Sequence, residues 1–149
     1  MKFWRGKFGN IIVLIGNYSL IRMAMRSAIQ EKLKALIVDD EMDVCYLLTS
    51  ILKYKNLQAS YVNSISEAKR VLKEDRHAII FLDNHLPDGF GINFIDEIRK
   101  LNPSVKIIMI TAHDTNNDKD KAYQRGVDQF IGKPFTRETI FSAIENLVN

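Results

Sequence analysis

"IIFLDNHLPDGFGINF", residues 79–94, ends an uninterrupted apolar run on a carboxylate. Ile79, Ile80, Phe81 and Leu82 show no polar alternation, which predicts a strand buried on both faces, as in a parallel sheet covered by helices. Asp83 follows at once, and Pro87-Asp88-Gly89 then predicts a turn and nothing more. A carboxylate at the end of the most hydrophobic strand needs partners. Their identity decides what the molecule does.

Outward from this stretch the chain alternates between two periods. "KALIVDD" (34–40) predicts a short buried strand ending in acids. Val44, Leu47, Leu48, Ile51 and Leu52 then follow helical spacing. "LQASYVN" (57–63) alternates apolar with polar, as an edge strand does. "SISE" (64–67) is a capping box and opens a helix that carries Ala68, Val71 and Leu72. "AIIFLD" (78–83) is the third strand, and Phe94, Ile95, Ile98 and Leu101 form the next apolar stripe. "VKIIMIT" (105–111) is the fourth strand. The polar stretch "AHDTNNDKDKAYQRG" (112–126) predicts a short, weakly packed helix ending at Gly126. "DQFIG" (128–132) is the fifth strand, and a last helix from about Thr136 buries Ile140, Ile144, Leu147 and Val148. Five strands alternating with five helices predict an α/β fold: a doubly wound five-stranded parallel sheet of flavodoxin-like order 2-1-3-4-5, with helices on both faces and right-handed crossovers. The working crevice of such a sheet lies at the carboxyl ends of its strands.

Composition narrows the function classes. The 149 residues are 46% hydrophobic and 26% charged, which suits one globular domain and neither a disordered nor a membrane-spanning chain. The longest apolar run is Ile11–Ile15, too short to span a bilayer. One cysteine, Cys45, excludes an internal disulfide and fits a reducing, cytoplasmic setting; it reads as a small hydrophobe on a helix. The net charge of +3 is uneven: residues 1–34 carry seven Lys/Arg against Glu31 alone, a net +6, and the remainder carries −3. The basic pI thus belongs to the N-terminal segment and gives no warrant for nucleic-acid binding.

Residues 1–32 read as a basic N-terminal extension, poorly ordered, ahead of a domain over 33–149. Their sequence shows no clean period and no small-residue cleavage site after the short apolar stretch. Met23 and Met25 lie just before the domain, so an upstream start codon chosen in error would produce a tail of this kind. The extension is expected to have no function, with a membrane-surface or partner-binding role as the alternative.

The predicted topology brings Asp39 and Asp40, Asp83, Thr111 and Lys133 to one crevice, each at or just beyond a strand end. Alone, each has a plainer reading: Asp39 and Asp40 as a helix N-cap pair, Thr111 as a strand-end hydroxyl, Lys133 as a solvated cation, Phe130 as core. Their coincidence overturns those readings. Three close carboxylates repel one another and raise each other's pKa. Mg²⁺ relieves this with one or two carboxylates, retained waters and phosphoryl oxygens. Lys133 offers a point charge and Thr111 a hydroxyl donor to such oxygens. A carboxylate nucleophile that forms an aspartyl phosphate is an established form of covalent catalysis.

These motifs closely resemble the response-regulator receiver domain of two-component signalling: "LIVDDE" (36–41), "IIFLDNHLPDGFG" (79–91), "IIMITAH" (107–113) and "FIGKPF" (130–135), in order, over residues 33–149. The resemblance implies that Asp83 is the phosphoacceptor. It implies that Asp39, Asp40 and Asp83 hold Mg²⁺ together with the backbone carbonyl of His85. Thr111 and Lys133 would contact the phosphoryl group, and Phe130 matches the switch aromatic. The Lys133–Pro134 bond is expected to be cis. His85 and His113 border the site, with Asn84 and Ala112 also on its rim. The donor would be a sensor histidine kinase or a histidine phosphotransfer protein.

The expected outcome is a shape change of the surface formed by helix 4, strand 5 and helix 5, which then binds an unknown downstream protein. After Lys133-Pro134-Phe135 only one helix follows, so the chain is expected to act as a stand-alone receiver with no covalent output domain. No nucleic-acid contact or membrane insertion is expected; a phosphorylation-linked dimer is possible. The only chemistry expected is its own phosphorylation and dephosphorylation. A phosphorelay intermediate or phosphate sink is the alternative. A phosphatase acting on exogenous substrates fits less well, because the nucleophile does not follow the first strand and no cap encloses it. A transcription factor would need a DNA-binding module.

Overall fold

A computed structural model of the chain describes residues 18–25, 32–113 and 115–148. It divides into two compact units, Met1–Glu31 and Lys32–Asn149. The second holds a five-stranded parallel sheet. Its elements are β1 (Lys34–Val38), α1 (Met42–Tyr54), β2 (Gln58–Val62), α2 (Ile65–Glu74), β3 (Ile79–Leu82), α3 (Gly91–Leu101), β4 (Lys106–Thr111), α4 (Asn116–Gln124), β5 (Gln129–Gly132) and α5 (Arg137–Val148). A small antiparallel hairpin, His85–Leu86 with Gly89–Phe90, sits between β3 and α3. The strand order is β2-β1-β3-β4-β5, the doubly wound order expected from the alternation of patterns.

The apolar strands divide their side chains between two cores. Leu36, Val38, Ile80, Leu82, Ile107 and Met109 face the layer of α2, α3 and α4. Ala35, Ile37, Ile79, Phe81, Ile108 and Ile110 face α1 and α5. Because successive side chains on a strand point to opposite faces, a strand covered on both sides must be apolar throughout. That is why residues 79–82 carry no alternation.

Helix faces depart from the expected stripes in two places. On α1, Leu47 is 49% exposed, and Cys45 takes a core position beside Leu48, Ile51 and Leu52. On α5, Val148 is 46% exposed, while Ala143 packs inward with Ile140 and Ile144. Spacings of three and four admit two adjacent stripes on one helix, and the sheet selects the one it can cover. The weakly packed helix over the polar stretch is α4, whose one buried residue is Ala122; it ends at Gln124, and Gly126, with φ +95°, follows the capping Arg125. The expected looseness of residues 1–32 falls largely outside the described residues. Positions 18–25 form a helix that the sequence pattern did not reveal.

The capping box at α2 is present in altered form. Ser64 Oγ accepts from the backbone N–H of Glu67 at 3.2 Å, but Glu67 reaches back to the N–H of Asn63. Asp88 takes the remaining donors, accepting from the N–H groups of Ile65 and Ser66, both at 2.9 Å. Asp88 is therefore more than a turn residue: it ties the loop after β3 to the start of α2. Those hydrogen bonds hold its carboxyl below the usual aspartate range. Asp88→Ala should cost about 1 kcal/mol in urea unfolding at neutral pH. A depressed pKa stabilises only above the unfolded value and is lost as pH falls through the folded one, so the difference between the two proteins should shrink on acidification toward pH ~3.

Candidate functional site

Register places the site. Val38 pairs with Leu82, Leu82 with Met109, and Thr111 with Gly132, so the carboxyl ends of β1, β3, β4 and β5 lie side by side. Asp39 and Asp83 are the next residues on β1 and β3; the N–H of Asp83 donates to Val38 O at 2.9 Å. Both are buried, as is Thr111, whereas Asp40 is exposed. Asp39, Asp40 and Asp83 each offer a carboxylate oxygen within 4.8 Å of the others.

Lys133, just past β5, donates its backbone N–H to Thr111 O at 2.8 Å, and its bond to Pro134 is cis, as expected. Its ammonium lies 2.8 Å from Asp39 and 2.7 Å from Glu41, but 3.7 Å from Asp83. Here it is held closer to the first acids than to the central aspartate. Asp39 also accepts from the N–H of Glu41 at 2.9 Å, and that bond, rather than an N-cap role, accounts for one of its oxygens. The N-cap of α1 is Glu41, with no side-chain cap bond.

Burial dominates the electrostatics. It pushes the Asp83 carboxyl up to about 6, against the pull of Lys133 and with the push of Asp39. Burial also raises Asp39 despite its hydrogen bond to Lys133. Burial opposes the Lys133 charge as well, but its bonds to Asp39 and Glu41 outweigh that and hold its pKa above the ordinary lysine value. One ammonium thus faces three carboxyl groups, with that of Asp40 close to two of them. An all-oxygen donor set with excess negative charge is what a hard divalent cation such as Mg²⁺ requires.

The other sequence-predicted residues surround this centre. Asn84 Oδ1 accepts from the N–H of Ile92 at 3.0 Å, and its backbone carbonyl accepts from the N–H of Gly91 at 2.8 Å, fixing the start of α3 behind Asp83. His85 and His113 are exposed and neighbour each other, ring centroids 4.3 Å apart; Phe90 and His85 form a T-shaped pair with centroids 5.4 Å apart. Thr111 Oγ1 accepts from the N–H of His113 at 3.3 Å. Ala112 lines a groove of about 420 Å³ with Glu41, Leu47, Lys133 and Phe135. Phe130 is half-buried against the α2–α4 core; its N–H donates to Tyr123 Oη at 3.3 Å, and Lys119 lies 5.9 Å above its ring.

Two site residues escaped the sequence reading. Glu41 was visible in "LIVDDE", but its bond to a lysine 92 positions away was not. Gly91 stands where an added Cβ would lie 2.2 Å from the carbonyl oxygen of Asp83, so no side chain fits without moving the backbone that carries the aspartate.

The family model for the response regulator receiver domain matches residues 35–145. The probable transcriptional regulatory protein TcrX of Mycobacterium tuberculosis is 27% identical over 124 residues, 83% of this chain and 53% of its own length. The response regulator protein PilR of Pseudomonas aeruginosa is 33% identical over 101 residues, 68% of this chain and 23% of that protein. The chain therefore spans about half or less of these curated relatives. Among solved structures, the beryllofluoride-activated NtrC4 receiver domain dimer is 33% identical with a TM-score of 0.73, covering 76% of this chain and 94% of that one.

Two consequences are measurable. Gly91→Ala should destabilise the fold by about 2–3 kcal/mol in urea, well beyond an ordinary Gly→Ala change, because the clash is with backbone. For Asp83, a folded pKa raised to about 6 means that its contribution to stability is full below the unfolded value near 4 and is lost as pH rises through 6. Asp83→Asn should therefore stabilise the metal-free protein at neutral pH by on the order of 1–2 kcal/mol. Thermal unfolding in EDTA that shows Asp83→Asn less stable than wild type would contradict the burial argument.

Proposed function

The chain belongs to the response regulator receiver domain family of two-component signalling, and from that premise we propose that it is a switch phosphorylated on Asp83 by a phosphohistidine donor. The observation that carries this reading is the register-matched meeting of Asp39, Asp40, Asp83 and Lys133 at one end of the sheet. In the step, a carboxylate oxygen of Asp83 attacks phosphorus while the P–N bond to the donor imidazole breaks, and the imidazole nitrogen keeps the electron pair. The product is an acyl phosphate. Asp39, Asp40 and Asp83, with the His85 carbonyl, are the residues that would hold Mg²⁺; when bound, it neutralises charge on the phosphoryl oxygens.

Lys133 then exchanges its bonds to Asp39 and Glu41 for a phosphoryl oxygen, and Thr111 turns its hydroxyl to another. Movement of Thr111 leaves room for Phe130 to follow it inward from its half-buried position. The α4–β5–α5 surface changes shape and binds a partner protein, a population shift driven by a local charge event. The shallow anchoring of α4 through Ala122 supports its assignment as the movable element. His85, His113, Asn84 and Ala112 form the rim. The donor is a sensor histidine kinase or a phosphotransfer protein in the cytoplasm, and self-phosphorylation and dephosphorylation are the only chemistry assigned. The dimer of the activated NtrC4 receiver makes self-association one form the output could take. A relay or phosphate sink without an effector is the alternative use of the same site.

Incubation with a small-molecule phosphodonor and Mg²⁺ should add one phosphoryl mass to wild type and none to Asp83→Asn, by intact-protein mass spectrometry. Equal labelling of the variant would remove Asp83 from the role, and undiminished labelling in excess EDTA would remove the metal.

A further inference from the structure

The family match begins at residue 35 and leaves the segment before it without a task. That segment is chemically unlike the rest. Lys2, Arg5, Lys7, Arg22, Arg26 and Lys32 face only Glu31 in sequence, and Phe3, the chain's one tryptophan Trp4, and Phe8 are interleaved with the first three cations. The helix at 18–25 is exposed at every position, and Tyr18, Leu20, Ile21, Met23 and Met25 are each between 54% and 73% exposed. At about 100° per residue, Leu20, Ala24, Ile21, Met25 and Tyr18 occupy one arc of roughly 160°, with Arg22 and Ser19 outside it and Met23 at the margin.

Such a helix needs cover. Its apolar arc is left in contact with solvent. The surrounding charge also needs a counterpart of opposite sign. An anionic lipid surface supplies both, burying the arc at the acyl boundary while the cations meet headgroup phosphates. Duplex nucleic acid would meet the charge but offer no apolar cover to Leu20, Ile21 and Met25. Among the described residues no helix is long and apolar enough to cross a bilayer.

We propose that residues 1–26 are a peripheral anchor that lays the 18–25 helix in the interface of an anionic membrane. Residues 35–149, at net −3, have no attraction of their own to that surface. The receiver is thereby concentrated near the membrane without being buried in it.

The test is co-sedimentation of the full chain with phosphatidylcholine vesicles, with and without phosphatidylglycerol. Binding should require phosphatidylglycerol, fall with added salt, and increase the helical circular dichroism signal. Leu20→Glu with Ile21→Glu should weaken binding at least ~10-fold. Lys2→Gln, Arg5→Gln and Lys7→Gln together should lower the partition coefficient by about 100-fold. Phosphoryl uptake should be unchanged in both variants, which shows that they are folded and separates this test from that of the Asp83 assignment. No binding, equal binding to phosphatidylcholine alone, or wild-type binding by either variant would overturn the anchor. So would a duplex DNA oligonucleotide that strips the chain from the vesicles at equal charge, which would assign the segment to nucleic acid.

Discussion

Mutual repulsion of carboxylates is the constraint around which this domain is arranged. Asp39 and Asp83 are buried neighbours because β1 and β3 are parallel and in register, Val38 beside Leu82, and Asp40 completes the group. Burial costs charge its hydration, and proximity adds to that cost. The rest of the site offsets it. Lys133 enters from β5, and Asp39 takes the backbone N–H of Glu41. Asn84 anchors the turn that leaves β3, with Gly91 close behind it. Stability is given up at the strand ends, and a concentration of negative charge in the crevice is what results.

The same geometry explains how a small event at Asp83 could reach a distant surface. Thr111 ends β4 and pairs with Gly132 of β5, and Lys133 donates its backbone N–H to Thr111. Phe130 lies two residues before Gly132 on β5, half-buried against the core, and Tyr123 of α4 accepts its N–H. Thr111 is therefore one strand pairing and two residues of β5 away from the aromatic, and the aromatic is one hydrogen bond from α4. Helices α1 and α3 each bury several large side chains and have no such freedom. Asymmetric anchoring of this kind lets one face rearrange while the sheet stays fixed.

The sequence made the strands legible because burial on both faces leaves a simple mark: residues 79–82 and 107–110 are apolar without interruption. From strand order, the positions of Asp39, Asp83, Thr111 and Lys133 followed. Helix faces were harder to read. On α1, Leu47 and Cys45 compete for one stripe, and only the sheet beneath decides between them. Groups whose work is done across the chain were not legible at all. Glu41 reaches Lys133 from 92 positions away, Asp88 caps a helix that begins 23 residues earlier, and Gly91 matters because of an oxygen eight residues back. The helical stretch at 18–25 escaped because only Ser19 and Arg22 interrupt its apolar residues, too few polar positions for a period to stand out.

Cys45 carries a consequence of another kind. It is the only thiol in the chain, it is fully buried on α1, and its Sγ–H donates to the carbonyl of Asp39 at 3.3 Å. Burial, reinforced by the Asp39 charge, pushes its pKa up to about 11, so the folded protein holds almost no thiolate. An alkylating reagent can then reach it only when α1 lifts from the sheet. The residue is a built-in clock for that opening, placed one hydrogen bond from the acidic centre, and its labelling rate reports how tightly α1 is held there without any probe being added to the molecule.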